Sequence, residues 1–246
     1  MAHVQVVADD VELDSPTFVE GLPGAGLVGK IAADHLVETF EMTHFADLHC
    51  DGLPRVAVYR PERTSVLAPV RLYADGEHDL VVLQSDVPVS PTSAGEFVSC
   101  LTSWIEEHDA SPIFLSGLPV EEKEGVPELY GIATGDAESW IEDAGIVPPR
   151  EGGLVSGPTG ALLARANERE LDAAGLVVET QAQFPDPEAA RVILEGGIEP
   201  LTGVDVSTDE LVDQAEEIQE ARERLAKRLR EADDESSQAQ PIRGFQ

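Results

Sequence analysis

Short apolar runs of strand length alternate with stretches of helical period. The turns at the run ends are rich in glycine or proline, at 21–26, 84–91, 116–119 and 156–160. This alternation limits the fold more than any other feature. Strands separated by helices pair in parallel, because a helical crossover returns the chain to the same end of the sheet, and the helices then cover both faces. The expected architecture is α/β: three layers, αβα, around a mostly parallel sheet. In such sheets the loops at the carboxyl ends of the strands line the functional crevice.

Within residues 1–20, Val4 and Val6, then Phe18 and Val19, mark one or two strands. Ile31, Leu36, Val37 and Phe40 follow at helical spacing. Residues 56–59 and 66–73 read as a hairpin or two adjacent strands, and 80–83 and 112–115 as buried strands. Between these last two lies a helix over 93–108, with Phe97, Cys100, Leu101, Trp104 and Ile105 on one face. A strand at 129–133, a helix at 136–144 closed by Gly145, a helix at 161–174 ending at Gly175, a strand at 176–180 and a helix from Asp186-Pro187 to Glu195 complete a body spanning 1–206.

The C-terminal part differs in kind. Ser207-Thr208-Asp209-Glu210 has the form of a capping box, and Leu211, Ala215, Ile218, Arg222, Leu225 and Leu229 then recur at steps of four and three. Glu220 with Arg224, and Glu223 with Lys227, are favourable i,i+4 pairs. The pattern predicts a charged helix over 207–232 with a narrow apolar seam, followed by a flexible polar tail over 233–246. Two readings stay open: a solvated helix with a frayed end, or an arm for a coiled coil or partner docking.

Charge narrows the function. The 246 residues carry 48 acids against 16 Lys and Arg, a net charge of -32. Acids spread over the whole chain fit a cytoplasmic protein of a salt-accumulating halophile, where molar salt shortens the Debye length to ~3 Å. With no basic stripe to offset phosphate, nucleic acid is not an expected partner. No apolar run reaches the ~18 residues of a membrane span, and the first residues lack a signal-peptide pattern. Cys50 and Cys100 cannot form a disulfide framework, so reduced thiols are expected.

Chemistry-bearing motifs are few. Gly24-Ala25-Gly26-Leu27-Val28-Gly29 has the G-x-G-x-x-G form, and with Lys30 it also fits G-x-x-x-x-G-K. A phosphate loop needs a hydroxyl next, for Mg²⁺, yet Ile31 stands there, and Pro23 removes an N–H. The acid of a dinucleotide site would be Asp47 or Asp51, neither of which closes a clear strand. Gly21, Gly24, Gly26 and Gly29 therefore read first as a backbone device, with Lys30 pairing a nearby acid. An anion at this helix N-terminus, shared with the second turn at Gly157 and Gly160, is the competing reading. No G-x-S-x-G, H-x-x-x-H or C-x-x-C occurs, so neither a nucleophile triad nor a metal centre is expected, and no cofactor.

Four segments together resemble a known family. They are Phe18-Val-Glu-Gly-Leu-Pro-Gly-Ala-Gly-Leu-Val-Gly-Lys-Ile-Ala-Ala-Asp-His-Leu36, Leu115-Ser-Gly-Leu-Pro119, Gly153-Leu-Val-Ser-Gly-Pro-Thr-Gly-Ala-Leu-Leu163 and Phe184-Pro-Asp-Pro-Glu-Ala-Ala190. In this order they resemble the archaeal proteasome assembly chaperone family. The resemblance implies a three-layer αβα fold of the nucleoside phosphorylase/hydrolase-like kind, homo-oligomers, and binding to proteasome α subunits or rings; it implies no confirmed catalytic site. It also implies a docking segment at the C-terminus, of the form hydrophobic–tyrosine–any. The matching positions are Gly244, Phe245 and Gln246: the ring is kept without its hydroxyl, and the first apolar contact is lost, with Ile242 displaced by two residues. The function expected is a non-enzymatic, proteasome-binding chaperone. The alternatives are a hydrolase or nucleoside-processing enzyme that uses the glycine turns as an anion pocket, or an oligomeric scaffold built on the helix at 208–231.

Overall fold

A computed structural model of the chain describes residues 3–8, 11–50, 53–61, 64–90, 94–120, 125–181 and 185–213. Its strands are β1 (His3–Val6), β2 (Thr17–Gly21), β3 (Thr43–His49), β4 (Val70–Asp75), β5 (Leu80–Ser85), β6 (Ser111–Pro119), β7 (Leu129–Thr134) and β8 (Ala173–Thr180). Its helices are α1 (Val28–Thr39), α2 (Ala94–Glu107), α3 (Glu138–Asp143), α4 (Gly157–Glu168), α5 (Pro187–Ile193) and α6 (Glu199–Thr202). The strands form one sheet in the order β1-β3-β4-β5-β2-β6-β8-β7.

The three-layer α/β expectation holds, with one correction: the sheet is mixed. β2 pairs in parallel with β5 and β6, and β6 with β8, whereas the β1–β3, β3–β4, β4–β5 and β7–β8 pairs are antiparallel. The reason lies in the connections. Only a four-residue turn, Gly76 to Asp79, joins β4 to β5, and a parallel pair needs a crossover of about a dozen residues or more. The parallel core β5-β2-β6-β8 is where helical crossovers connect the strands.

Alternation along each central strand splits the core in two. Val19, Val82, Ile113 and Leu176 face α1 and α5. Phe18, Leu83 and Phe114 face the other way, toward α2 and α4. In α2, Phe97, Leu101, Trp104 and Ile105 recur at helical spacing and are buried, each side chain contributing about 1.5–3 kcal/mol by leaving water.

Several local expectations shift. The helix expected over 161–174 starts earlier and stops earlier: Pro158 sits in its first turn, and Glu170 turns the chain with φ 56 after Glu168. Ala174 and Gly175 then pair with both β6 and β7, and Ala173 with Thr134 of β7, where little room exists for larger side chains. A Cβ on Gly175 would approach Ile132 Cγ1 to 2.7 Å. Of the hairpin expected from 56–59 and 66–73, only an isolated Val58–Leu67 bridge and β4 form. Asp186 caps α5 through Ala189 N–H, 3.1 Å from Oδ1, and Gly145 closes α3 with φ 70 as expected. Residues 209–213 begin the expected C-terminal helix, with Leu211 buried in the core beneath α1 and α5. The rest of that helix, the tail at 233–246, and Gly244, Phe245 and Gln246 lie outside the described residues.

Candidate functional site

β2, β5, β6 and β8 end along one edge of the sheet. The loop between β3 and β4 reaches the same edge, since Val70 pairs with Ser85 at the carboxyl end of β5. Exposed apolar side chains concentrate there. Leu27, Val56, Tyr59, Val66, Leu118, Val126 and Leu154 are seven of the eleven large hydrophobic residues exposed among those described. In so acidic a chain, that edge carries most of the exposed apolar surface among the described residues.

Leu27 stands out among the seven. Its φ of 53 puts a leucine in the left-handed region as the N-cap of α1. For an L-residue this costs roughly 1–2 kcal/mol, and the half-exposed side chain recovers little by burial.

The two glycine turns, far apart in sequence, meet at this edge. A cavity of about 320 Å³ lies between residues 22–25 after β2, the end of β6 from Leu115 to Pro119, and residues 154–159 leading into α4. Gly24, Gly29 and Gly157 are in its wall, as are Ser116, Ser156 and Thr159. None of the seventeen described residues lining it is charged, although charged residues make up 26% of the chain.

A carboxyl group lies below the cavity. Glu20, on β2, is fully buried. Leu22 N–H donates to Oε1 at 2.9 Å, Leu115 N–H donates to Oε2 at 3.2 Å, and the Thr159 hydroxyl lies 3.2 Å from both oxygens. Burial pushes this carboxyl up to about 8 from the usual 4.5, against the pull of those three hydrogen bonds. Near neutral pH Glu20 is therefore largely protonated. The Thr159 hydroxyl can then accept its proton, a reversal open to a hydroxyl and closed to an amide. Sequence reading passed over Glu20 because nothing marks a glutamate in an apolar strand as buried rather than edge-facing.

The glycines serve the backbone. A Cβ on Gly21 would collide with Ala33 Cβ and lie 2.6 Å from Leu83 O, so α1 can approach β2 only over glycine. Gly26 has φ 62, and a Cβ there would collide with Thr180 Oγ1. That hydroxyl donates to Asp186 Oδ2 at 3.0 Å, and Asp186 N–H donates to Gly26 O at 2.8 Å. The turn thus locks the tip of β8 and the cap of α5 together. Gly160, in the first turn of α4, would place a Cβ against Val155 O. Asp47 lies on β3, three strands from β2, out of reach of a dinucleotide seated at this turn; Asp51 is outside the described residues.

Lys30 turns away from the cavity. Its Nζ lies 2.9 Å from Asp34 Oδ2 and 3.5 Å from Asp86 Oδ1. Arg60 reaches the same Asp86 oxygen at 2.8 Å. Arg71, wholly buried, binds Asp86 Oδ2 at 2.7 Å and also donates to Gln84 Oε1 and Ala68 O. Burial alone would raise the Asp86 carboxyl, but the hydrogen bonds from Arg71 and Arg60 outweigh it and hold the group below its usual value. This cluster opens onto a second groove that also bears Glu38 and Glu41, so its cations are offset by acids.

Among the described residues no helix is long and apolar enough to cross a membrane. The family model described as PAC2 family matches residues 18–226. An uncharacterized protein of Methanocaldococcus jannaschii, MJ0106, is 29% identical over 221 residues, 88% of this chain and 87% of its own. The fold superposes on Pyrococcus furiosus PbaA, described as an archaeal homologue of proteasome-assembly chaperone. The TM-score is 0.80 and the identity 26%, over 95% of this chain and 96% of that one. It also superposes on Pyrococcus furiosus PbaB, described as an archaeal proteasome activator, with a TM-score of 0.77 and 25% identity over 92% and 98%.

Proposed function

The chain belongs to the PAC2 family, and from that membership we propose that it is a proteasome-binding chaperone that acts without catalysis. Its partners in this reading are proteasome α subunits or the α ring, and it works as a homo-oligomer in the cytoplasm. The observation that carries the reading is the apolar carboxyl edge: seven exposed hydrophobic side chains on a chain whose net charge is -32. Similarity to PbaA and PbaB, one described as a chaperone homologue and the other as a proteasome activator, points the same way.

The body supplies the gripping surface and the C-terminal segment supplies a tether. A tether raises the local concentration of a weakly binding body without adding contacts there. The positions assigned to it are Gly244, Phe245 and Gln246. The enzymatic alternative is disfavoured by the cavity itself, which has no cationic side chain in its described wall and a carboxyl beneath it.

The test is co-purification of proteasome with the tagged protein from lysate in molar KCl, for the full chain and for a chain lacking residues 244–246. Recovery should fall on deletion. Unchanged recovery refutes the role of the tail, and no recovery with either chain refutes the function. Titration with phosphate and nucleosides should release no heat; saturable binding would favour the enzyme reading.

A further inference from the structure

Resting on the chaperone reading, we propose that the uncharged cavity between the two glycine turns is the slot in which the body holds an extended, uncharged segment of the proteasome α subunit. Three observations place it there. The first is electrostatic. A pocket without one charged residue in its described wall gives an ionic side chain no counter-charge, and desolvating such a group there is costly. An uncharged segment enters without that penalty.

The second is the stretch of β6 that runs beyond its pairing with β2, where the turn carrying Ala25 packs over Gly117. β2 pairs with β6 only as far as Glu20 opposite Phe114, while β6 continues against β8 to Pro119 opposite Thr180. From Leu115 onward, β6 has no strand on its β2 side among the described residues. Main-chain groups there suit a main chain, the usual way an extended peptide gains affinity at a sheet edge. The amides nearest the floor, of Leu22 and Leu115, are taken by Glu20. That leaves the stretch beyond Leu115 and the hydroxyls of Ser116 and Ser156 to meet the segment.

The third is the rim. Leu154 is 98% exposed and Leu118 41% exposed, and both belong to the cavity wall. Side chains this open contribute little to folding, and over a pocket they suit a segment that covers them on binding. Enclosed space of about 320 Å³ is at the small end for a ligand site and suits one or two apolar anchors of a longer segment.

The experiment measures binding of purified archaeal proteasome α subunits to the full chain in about 2 M KCl, by sedimentation, for wild type, Leu154→Asp, Leu118→Asp and the control Val7→Asp. Val7 is exposed beside the far end of the sheet, so the control adds the same charge elsewhere. Thermal melts confirm that all four fold. Affinity should drop at least tenfold for the two cavity variants and stay within twofold for the control. A photo-reactive benzophenone side chain at position 154 should crosslink to a stretch of the α subunit without charged residues. Binding by wild type with equal binding by Leu154→Asp and Leu118→Asp overturns the slot and leaves the chaperone reading standing. Crosslinking to a charged stretch, to this chain's own C-terminal segment or to a second copy also overturns it. No binding by wild type overturns both readings.

Discussion

Glu20 makes stability depend on pH in a direction opposite to the usual carboxylate. Its folded value lies near 8 and its ordinary value at 4.5, so between those limits the folded state holds a proton that the unfolded chain has lost. Stability from this group is therefore complete below about pH 4.5. It falls by about 1.4 kcal/mol per pH unit through the window and is gone above about pH 8. Between pH 5.5 and 7.5 the expected loss is about 3 kcal/mol. Other acids also titrate as pH changes, so the measurement compares wild type with Glu20→Gln by urea unfolding in constant, molar KCl. The amide cannot ionise, and it sets an –NH₂ against either Leu22 N–H or Leu115 N–H, leaving one buried donor unpaired. The variant should be less stable at low pH by about 1–3 kcal/mol, and its curve should lack the Glu20 slope. The difference between the two proteins should shrink as pH rises and change sign within the window. Parallel curves from pH 5.5 to 7.5 would refute the claim that burial keeps Glu20 protonated.

Three further outcomes follow from the same geometry. Gly26→Ala should destabilise by about 2–4 kcal/mol through its positive φ and the collision with Thr180, while Gly24→Ala, with no atom within 4 Å of the added Cβ, should stay within about 1 kcal/mol; urea midpoints compare them. Arg71→Met should cost about 3 kcal/mol by leaving Gln84 Oε1 and Ala68 O without their donor and depriving Asp86 of its buried partner, a loss read by thermal unfolding and little changed between 1 and about 3 M KCl. Cys100, pushed up to about 11 chiefly by burial and then by Cys50 and Glu107, should react with iodoacetamide at pH 8 at least tenfold more slowly than a free thiol in a Cys50→Ser background.

What could be read in advance, and what could not, divides along particular residues. Phe18, Val19 and the run at 80–83 were legible as central strands because both of their faces are buried and both therefore require apolar side chains. α2 was legible because one helical stripe meets the core. β3 was not, since His44, Asp47 and His49 interrupt its apolar pattern, and its pairing with β4 carries a register shift between His44 and Ala46. The antiparallel half of the sheet was hidden for a different reason: strand-helix alternation set the expectation, whereas the short connection from Gly76 to Asp79 reversed the chain.

The candidate site shows the same division. Sequence alone determined that the glycine turn at 21–26 would join a strand end to a helix, that Lys30 stands beside acids, and that no nucleophile motif is present; the turn at 156–160, read as a strand tip, instead leads from the loop after α3 into α4. Only the tertiary structure decided that the turns at 24–29 and 156–160 face each other across one cavity, that Lys30 points away from it, and that Glu20 lies sealed beneath. The physical reason is that local propensity and periodicity act over a few residues, whereas strand order and the packing of helices on the sheet join segments up to and beyond a hundred residues apart. Thr159 meets Glu20 across 139 positions of chain. No spacing rule reaches so far, and burial, which sets the charge of that carboxyl, exists only once the layers have closed over it.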